Sequence, residues 1–489
     1  MERTQLTPQE AYMGESTDTI AAIATPHGMG GIAVIRISGP DAIAIADKAW
    51  KGKPLRDARS HTVHYGTITD ADGLPLDQGI ATVFRAPASF TGEDVVEISV
   101  HGSKWIQQAL VQRLCSLGAR AAGPGEFSRR AFVNGKIDLA QAEGIADLIE
   151  ASSRAAHRLA ASQTTGRFSK YIDSLRDDLI QLCSLLELEL DFSEEEVEFA
   201  SREKLTQLCN DIIPRLRRLA DSYAAGRAIK EGVPVVIAGR PNAGKSTLLN
   251  ALLHDDRAIV SEIPGTTRDI IEATAEIRGI LFRFFDTAGL RDTPDPLEKE
   301  GIQRARAKLS QAAIILWLLD PKELTEERVK AAIGEMAQYP QAHHIVVISK
   351  SDVSPEQKSR ALASVQIITG EEIAVSGLSA KTGNELDVLC ISAKTGEGIE
   401  ELERLMETAA SGDHNPDAEL IVTNARHQAG LTAAADSLER AREGIESGLS
   451  ADFVAQDTRE ALHHLAEITG AITTPHLLHS IFTRFCIGK

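Results

Sequence analysis

Apolar positions along the chain fall into three textures. From about residue 18 to residue 134, short β-rich runs alternate with Gly and Pro. Ile32 to Ile37 is followed by Ser38-Gly39-Pro40, and Val95 to Val100 ends at His101-Gly102. This predicts an α+β unit. From about Ile137 the period lengthens. Leu175, Leu179, Leu182 and Leu186 recur at steps of four, three and four, which lays one apolar stripe along a helix. The Ala-rich stretch from Arg154 to Ser162 favours helix on propensity alone. Near Val233 the pattern changes again. Val233 to Ala238, Ile280 to Phe285, Ile314 to Leu319 and Ile345 to Ile348 are short apolar runs separated by helical or loop-like stretches. A mostly parallel sheet with crossover helices leaves that trace. After the turn-rich Ser411-Gly412-Asp413-His414-Asn415-Pro416, a helical period returns, with Leu462, Leu465 and Ile468 on one face.

This closing stripe needs a partner to be buried. The helical block before Val233 is the simplest one, and it makes the α/β unit an insertion into a helical domain; two independent helical units are the other arrangement. The chain has 489 residues, room for about three domains. Its net charge of −18 disfavours a protein that coats nucleic acid through bulk electrostatics, though it leaves room for a local basic patch. Five scattered cysteines without a Cys-x-x-Cys pair make neither a disulfide framework nor a zinc knuckle. Glu2, Glu10 and Glu15 with no early apolar run do not read as a signal or transit peptide, and Ala312 to Leu319 is too short to cross a bilayer. The expectation is a soluble, cytoplasmic protein.

Candidate chemistry is concentrated after Val233. Gly239-Arg240-Pro241-Asn242-Ala243-Gly244-Lys245-Ser246 fits G-x-x-x-x-G-K-[ST] directly after a strand-like run. The glycines let backbone N–H groups turn toward phosphate oxygens, and the following helix N-terminus, which includes Thr247, adds partial positive charge. Lys245 would reach the terminal phosphates and Ser246 would offer a hydroxyl to Mg²⁺. Asp286-Thr287-Ala288-Gly289 after the next strand supplies the second half, with Asp286 holding Mg²⁺ through water and the Gly289 amide sensing the γ-phosphate. This predicts a P-loop NTPase. Ser349-Lys350-Ser351-Asp352 resembles the guanine-reading Asn-Lys-x-Asp element, with Asp352 present and Ser in place of Asn. A Ser-Ala-Lys base element occurs twice, at Ser379-Ala380-Lys381 and at Ser392-Ala393-Lys394; the strand before Ser392 and the Gly396-Glu397-Gly398 turn after it favour the second, while proximity to Asp352 favours the first. Leu290 stands where many GTPases carry a water-orienting Gln, and a leucine has no hydrogen-bonding group, so hydrolysis needs other help.

Three further stretches carry a resemblance. They are Asp18-Thr19-Ile20-Ala21-Ala22-Ile23-Ala24-Thr25-Pro26 with Arg36-Ile37-Ser38-Gly39, then Gly123-Pro124-Gly125-Glu126-Phe127 leading to Asp138-Leu139-Ala140-Gln141-Ala142-Glu143, and finally Phe485-Cys486-Ile487-Gly488-Lys489. With Pro264-Gly265-Thr266-Thr267-Arg268-Asp269 they resemble the MnmE (TrmE) family of tRNA modification GTPases, from Asp18 to Lys489. The resemblance implies a multidomain α/β and α fold. Residues 1–134 would be a folate-binding, dimerising α+β domain, 135–226 and 411–489 a helical domain, and 227–410 an inserted Ras-like P-loop G domain. It also implies a homodimer and a complex with the FAD-dependent partner MnmG. Together they would place an aminomethyl-type group, such as carboxymethylaminomethyl, on C5 of the wobble uridine of tRNA. The cofactors implied are GTP, Mg²⁺, K⁺ and 5,10-methylene- or 5-formyl-tetrahydrofolate.

Residue roles follow from the same resemblance. K⁺ would be held by Asn242 and by carbonyls of Ser261 and Ile263, within the nucleotide-contacting segment Ser261, Glu262, Ile263, Pro264, Gly265 and Thr266. Thr267 would complete the Mg²⁺ shell. Glu298 matches the family's water-activating glutamate, although Asp295-Pro296-Leu297-Glu298 also reads as a helix start with Glu298 as capping-box carboxylate. Folate contacts are implied for Arg36, Glu97, Lys136 and Lys489. Cys486 would lie near the substrate chemistry; its plainer reading is a small apolar residue of the last helix. Arg120, Arg129 and Arg130 suggest a basic rim around the folate site, and the pairs His343-His344 and His463-His464 read as solvent-facing. A GTP-regulated ribosome-assembly protein that binds RNA is the rival reading. The first 130 or so residues, the C-terminal Phe-Cys-Ile-Gly-Lys and the acidic balance speak against it.

Overall fold

The computed structural model describes residues 18–26, 28–191, 202–253, 272–286, 306–323, 325–350, 352, 374–376, 379–381, 387–411, 420–483, 485 and 487–488. The chain separates into two compact units. Met1–Ile149, Ala160–Arg217 and Ala429–Lys489 form the first; Glu150–Leu159 and Arg218–Gln428 form the second.

The first unit contains a seven-stranded sheet of β1 (Ile20–Ile23), β2 (Gly30–Ser38), β3 (Trp50–Gly52), β4 (Thr62–Thr69), β5 (Pro75–Phe84), β6 (Val95–Gly102) and β7 (Arg120–Ala121). Its order is β3-β4-β5-β6-β2-β1-β7, antiparallel throughout except for the parallel β1–β7 pair. Alternation decides what each face carries. Ala33, Ile35 and Ile37 of β2 join Val96, Ile98 and Val100 of β6 in a core with the helices Ala42–Lys48 and Lys104–Ser116. On the other face the register pairs Tyr65 with Ile80, Ile80 with Ser99, Thr82 with Glu97, and Glu97 with Arg36. Val63, Tyr65, Ile80 and Ile32 remain exposed there.

Helices complete this unit. The stripe Leu175, Leu179, Leu182 and Leu186 is buried along the helix Arg167–Asp191, and the helix Ala451–Thr469 packs against it with Leu465 and Ile468 buried and Leu462 half-buried. The late helices therefore share a core with the early block. Asp138 and Gln141 start the helix Leu139–Glu150 with a reciprocal capping box: Gln141 N donates to Asp138 Oδ1 at 2.8 Å and Asp138 N to Gln141 Oε1 at 2.9 Å. This gives the Asp138-Leu139-Ala140-Gln141 motif a structural cause.

The second unit is built on β8 (Val233–Gly239), β9 (Glu272–Ile277), β10 (Ile280–Asp286), β11 (Ile314–Leu319), β12 (His343–Ile348), β13 (Ala374–Ser376), β14 (Ser379–Lys381) and β15 (Asp387–Cys390). The order is β13-β14-β15-β12-β11-β8-β10-β9. The five strands from β15 to β10 run parallel, while β9, β13 and β14 are antiparallel to their neighbours. Val235, Val236 and Ile237, like Ile314, Ile315 and Leu316, are buried at every successive position. Only a sheet covered on both faces allows that.

His343 and His344 depart from the solvent-facing expectation. Trp317 Nε1 donates to His344 Nδ1 at 3.0 Å, and His344 Nε2 lies 3.0 Å from Tyr339 O, the arrangement of a neutral ring protonated on Nε2. His343 Nε2 lies 2.9 Å from Asp387 Oδ2. His344 is half-buried between Trp317 and Tyr339, while His343, at the start of the strand, keeps about a third of its side chain exposed. Burial, aided by neighbouring His343, pushes the His344 ring below its ordinary value, with the Tyr339 carbonyl opposing. The folded ring thus holds its proton less tightly than the unfolded one. Its contribution to stability is complete above the unfolded value of about 6.5 and is lost as pH falls through the window below it. Calorimetry of the unfolding transition should show a smaller drop of the midpoint on acidification in His344→Gln than in the unsubstituted protein. His463 and His464 sit beside Glu467 on their own helix, within 3.5 and 3.8 Å.

Candidate functional site

At the C-terminal edge of the parallel strands, β8 runs into a loop that ends at Gly244. Gly244 is left-handed (φ 103°) and caps the helix Lys245–Leu252, a conformation that a side chain would strain. Asn242 also takes positive φ, 65°. Lys245 is buried and its Nζ donates to Gly239 O at 2.7 Å and Arg240 O at 3.1 Å, so the ammonium sits inside the loop. Ser246 and Thr247 are exposed at the first helical turn. A cradle of this kind, with an internal cation, a left-handed turn and hydroxyls at a helix N-terminus, fits a polyphosphate. β8 is flanked by β10 and β11, placing the loop where the connections leave the sheet in opposite directions, the usual ligand crevice of such sheets. Asp286 closes β10 opposite Ile237 in the register.

Lys350, Asp352 and Ser392, assigned to the base on sequence, lie at the same edge. Lys350 (φ 55°) follows β12 and its Nζ donates to Asn242 O at 2.9 Å and Asp320 Oδ2 at 2.6 Å, tying the phosphate loop to the end of β11. Burial alone would raise the Asp320 carboxyl; the Lys350 hydrogen bond and charge, with the Lys322 amide, bring it below its ordinary value. Ser349 occupies the Asn position and donates from both N and Oγ to Leu319 O, at 2.9 and 3.2 Å. Asp352 is exposed. Ser392 follows β15 at this edge, fully buried, with its N donating to Glu397 O and its Oγ accepting from Thr395 N at 3.3 Å. Ser379-Ala380-Lys381 is instead β14, whose Lys381 pairs with Asp387 at the opposite end of β15.

The first unit holds a second constellation. Arg36 and Glu97 face each other across β2 and β6, with Arg36 Nε 2.9 Å from Glu97 Oε1. The Arg36 guanidinium lies 5.5 Å from the Phe90 ring centre and 5.6 Å from that of Phe127, and its Nη1 donates to Gly488 O at 3.4 Å. Lys136 Nζ donates to Pro87 O at 3.0 Å, on the same loop as Phe90. Ile487 bridges Pro124, and a Cβ on Gly488 (φ 95°) would sit 2.1 Å from Ile23 O. Gly488, with Ile487 beside it, is thus laid against the pair to which the family resemblance gives a folate contact.

A family model described as the MnmE helical domain matches residues 139–486, and one described as the GTP-binding protein TrmE N-terminus matches residues 19–136. Proteins called tRNA modification GTPase MnmE are similar across nearly their whole length. That of Salinibacter ruber is 46% identical over 97% of this chain and 99% of its own. Those of Christiangramia forsetii and Parabacteroides distasonis are 45% and 46% identical over 96% of this chain and 99% and 100% of theirs. This chain belongs to the MnmE family of tRNA modification GTPases.

In this MnmE-family GTPase the three arginines do not form a basic rim. Arg130 is buried and bonds Asp18 Oδ1 at 2.7 Å, Glu93 Oε1 at 3.2 Å and Glu126 Oε1 at 3.3 Å. Arg120 pairs with Asp18 and Glu126 at 2.7 and 2.6 Å, and Arg129 approaches Glu126 at 3.8 Å. Three carboxylates from separate segments neutralise these cations. Burial acts to raise Asp18 and Glu126, and the arginine hydrogen bonds and charges overcome it, leaving both lowered. Ser261, Glu262, Ile263, Pro264, Gly265, Thr266, Thr267, Thr287, Ala288, Gly289, Leu290, Glu298, Cys486 and Lys489 lie outside the described residues, as does the side chain of Asp286. Sequence reasoning missed Asp320, Phe90 and the clamp on Arg36. Phe127 closes the Gly123-Pro124-Gly125-Glu126-Phe127 motif, but nothing in its spacing points to Arg36. Among the described residues no helix is long and apolar enough to cross a membrane.

Proposed function

We propose that this GTPase works in the cytoplasm as a homodimer with the FAD-dependent partner MnmG, installing an aminomethyl-type group on C5 of the wobble uridine of tRNA. The observation that carries the folate part is the meeting of the C-terminal Ile487-Gly488 with the Arg36–Glu97 pair. Folate offers carboxylates that suit Arg36, Lys136 and Lys489, and a pterin whose N–H donors suit Glu97. Bound there, a tetrahydrofolate would supply the one-carbon unit. Cys486, between Phe485 and Ile487, would stand next to it. Dimerisation through the N-terminal unit is supported by the open sheet face bearing Val63, Tyr65, Ile80 and Ile32.

GTP, with Mg²⁺ on Ser246, Thr267 and Asp286, would occupy the loop around Lys245. Ser392, Ala393 and Lys394, at the nucleotide edge, would back the base that Asp352 reads. K⁺ bound by Asn242, Ser261, Ile263 and Thr266 would offset charge developing on the phosphates, help that Leu290 does not give. The test is GTP turnover in potassium and sodium buffers, with and without 5-formyl-tetrahydrofolate. Faster turnover in potassium and a change on adding the folate are expected; identical rates in both salts overturn the cation assignment. Glu298 would orient the attacking water. Glu298→Ala is therefore expected to lower kcat by about 10²–10³-fold with little change in GTP affinity, as single-turnover kinetics would show. Equal loss of both would return Glu298 to a helix cap.

A further inference from the structure

Arg36 is held by two aromatic faces from different parts of the chain: Phe90 from the loop 85–94 and Phe127 from the helix Glu126–Val133. Phe127 is fully buried against Ile20 and Ala22 of β1, whereas Phe90 is part-exposed on its loop. Arg130 joins the loop to the helix through Glu93 and Glu126. Its Nη1 donates to Asp18 O at 2.8 Å and to Glu93 Oε1 at 3.2 Å; its Nη2 donates to Asp18 Oδ1 at 2.7 Å and Glu126 Oε1 at 3.3 Å. Glu93 continues the connection, accepting from Ser38 Oγ at 2.7 Å, and Ser38 lies two residues beyond Arg36 on the same strand. Ser38 Oγ also lies 2.7 Å from Thr91 Oγ1, and Asn134 Nδ2 donates to Thr91 O at 2.7 Å, from just beyond the helix that carries Phe127.

We infer that Arg130 is a positioning residue of the Arg36 site: by joining Asp18, Glu93 and Glu126 it sets the two rings that hold the Arg36 guanidinium in place for a folate-class ligand. The inference rests on the folate reading above. Physically, a planar fork with fixed donor directions suits this task and an ammonium does not, because one Nζ cannot reach carboxylates on three segments with the same geometry. Arg130 itself touches no ligand in this account. It acts through the Phe90 loop and the Phe127 helix.

The experiment measures the dissociation constant of 5-formyl-tetrahydrofolate by titration calorimetry on the full chain. Variants are Arg130→Lys, Arg130→Met, Glu93→Gln, Phe127→Leu and Arg130→Lys with Phe127→Leu. Arg130→Met removes the buried cation that Asp18 and Glu126 share with Arg120 and that pairs with Glu93, and is the variant most prone to misfold; Arg130→Lys and Glu93→Gln keep charge or shape and carry the test without it. Weakening of about ten-fold or more is expected for Arg130→Lys and a smaller loss for Glu93→Gln. The Arg130→Lys and Phe127→Leu losses should be non-additive, because part of the effect of Arg130 passes through the Phe127 ring. A purely structural role would lower the unfolding midpoint and leave the affinity of the folded fraction unchanged. Unaltered affinity in both Arg130→Lys and Glu93→Gln, or losses that simply multiply with Phe127→Leu, overturns the inference while the folate reading stands. No folate binding by the unsubstituted protein overturns the folate reading, and the inference with it.

Discussion

Asp352→Asn is expected to cost this GTPase about 10³–10⁴-fold in affinity for GTP and to transfer its preference to xanthosine triphosphate. Guanine presents two N–H donors on one edge, from N1 and the 2-amino group, and a carboxylate accepts both. An asparagine keeps one acceptor and turns a donor toward the amino group, leaving two donors facing each other without water between them. Xanthine has a carbonyl at that position, so the same asparagine satisfies it. Residues just before Asp352 are held in place in the structure. Lys350, two residues earlier, anchors the segment to Asn242 and Asp320, and Ser349 anchors it to Leu319 O. Competition titrations with both nucleotides decide the matter. Parallel loss of affinity for the two would mean that Asp352 does not read the base edge.

Gly488→Val is expected to reduce tRNA modification by about 10²-fold in an assay with the partner present. Gly488 combines positive φ with the closest approach of its backbone to Ile23 O, where any Cβ would fall at 2.1 Å. Neither atom belongs to a flexible side chain, so the tail must lift. Lifting it breaks the Arg36 contact to Gly488 O. Displacement of reacting groups by about 1 Å is enough for a loss of this size. GTP turnover measured alongside reports whether the second unit remains intact. Full modification by Gly488→Val would show that the docked tail plays no part in the chemistry.

The two sites were legible to different degrees, for a physical reason. A phosphate cradle is made of successive backbone N–H groups, so its chemistry must be contiguous, and Gly239 to Ser246 displays it within eight residues. The Arg36–Glu97 pair exists only because β2 and β6 meet in one register, 61 residues apart in the chain. Without resemblance to relatives, nothing local distinguishes either residue from a solvated charge. Arg130 shows the same limit. Its spacing from Glu126 suggests an exposed helix pair, while Asp18 and Glu93 close over it from elsewhere.

Local pattern by itself determined the parallel strands around Val235 and Ile315, the helical stripe from Leu175 to Leu186, and the nucleotide loop, because burial on both faces, a 3.6-residue period and a phosphate-shaped turn each imprint a short stretch of chain. Tertiary structure decided that Ser379-Ala380-Lys381 is the strand β14, antiparallel to β15 with Lys381 opposite Asp387, and that Ser392 follows the end of β15. It also decided that His344 is a half-buried ring accepting from Trp317, that Arg130 is a buried hub, and that Gly488 lies against Ile23. Each of these depends on groups that are distant in sequence and become neighbours only when the sheets and helices close around them.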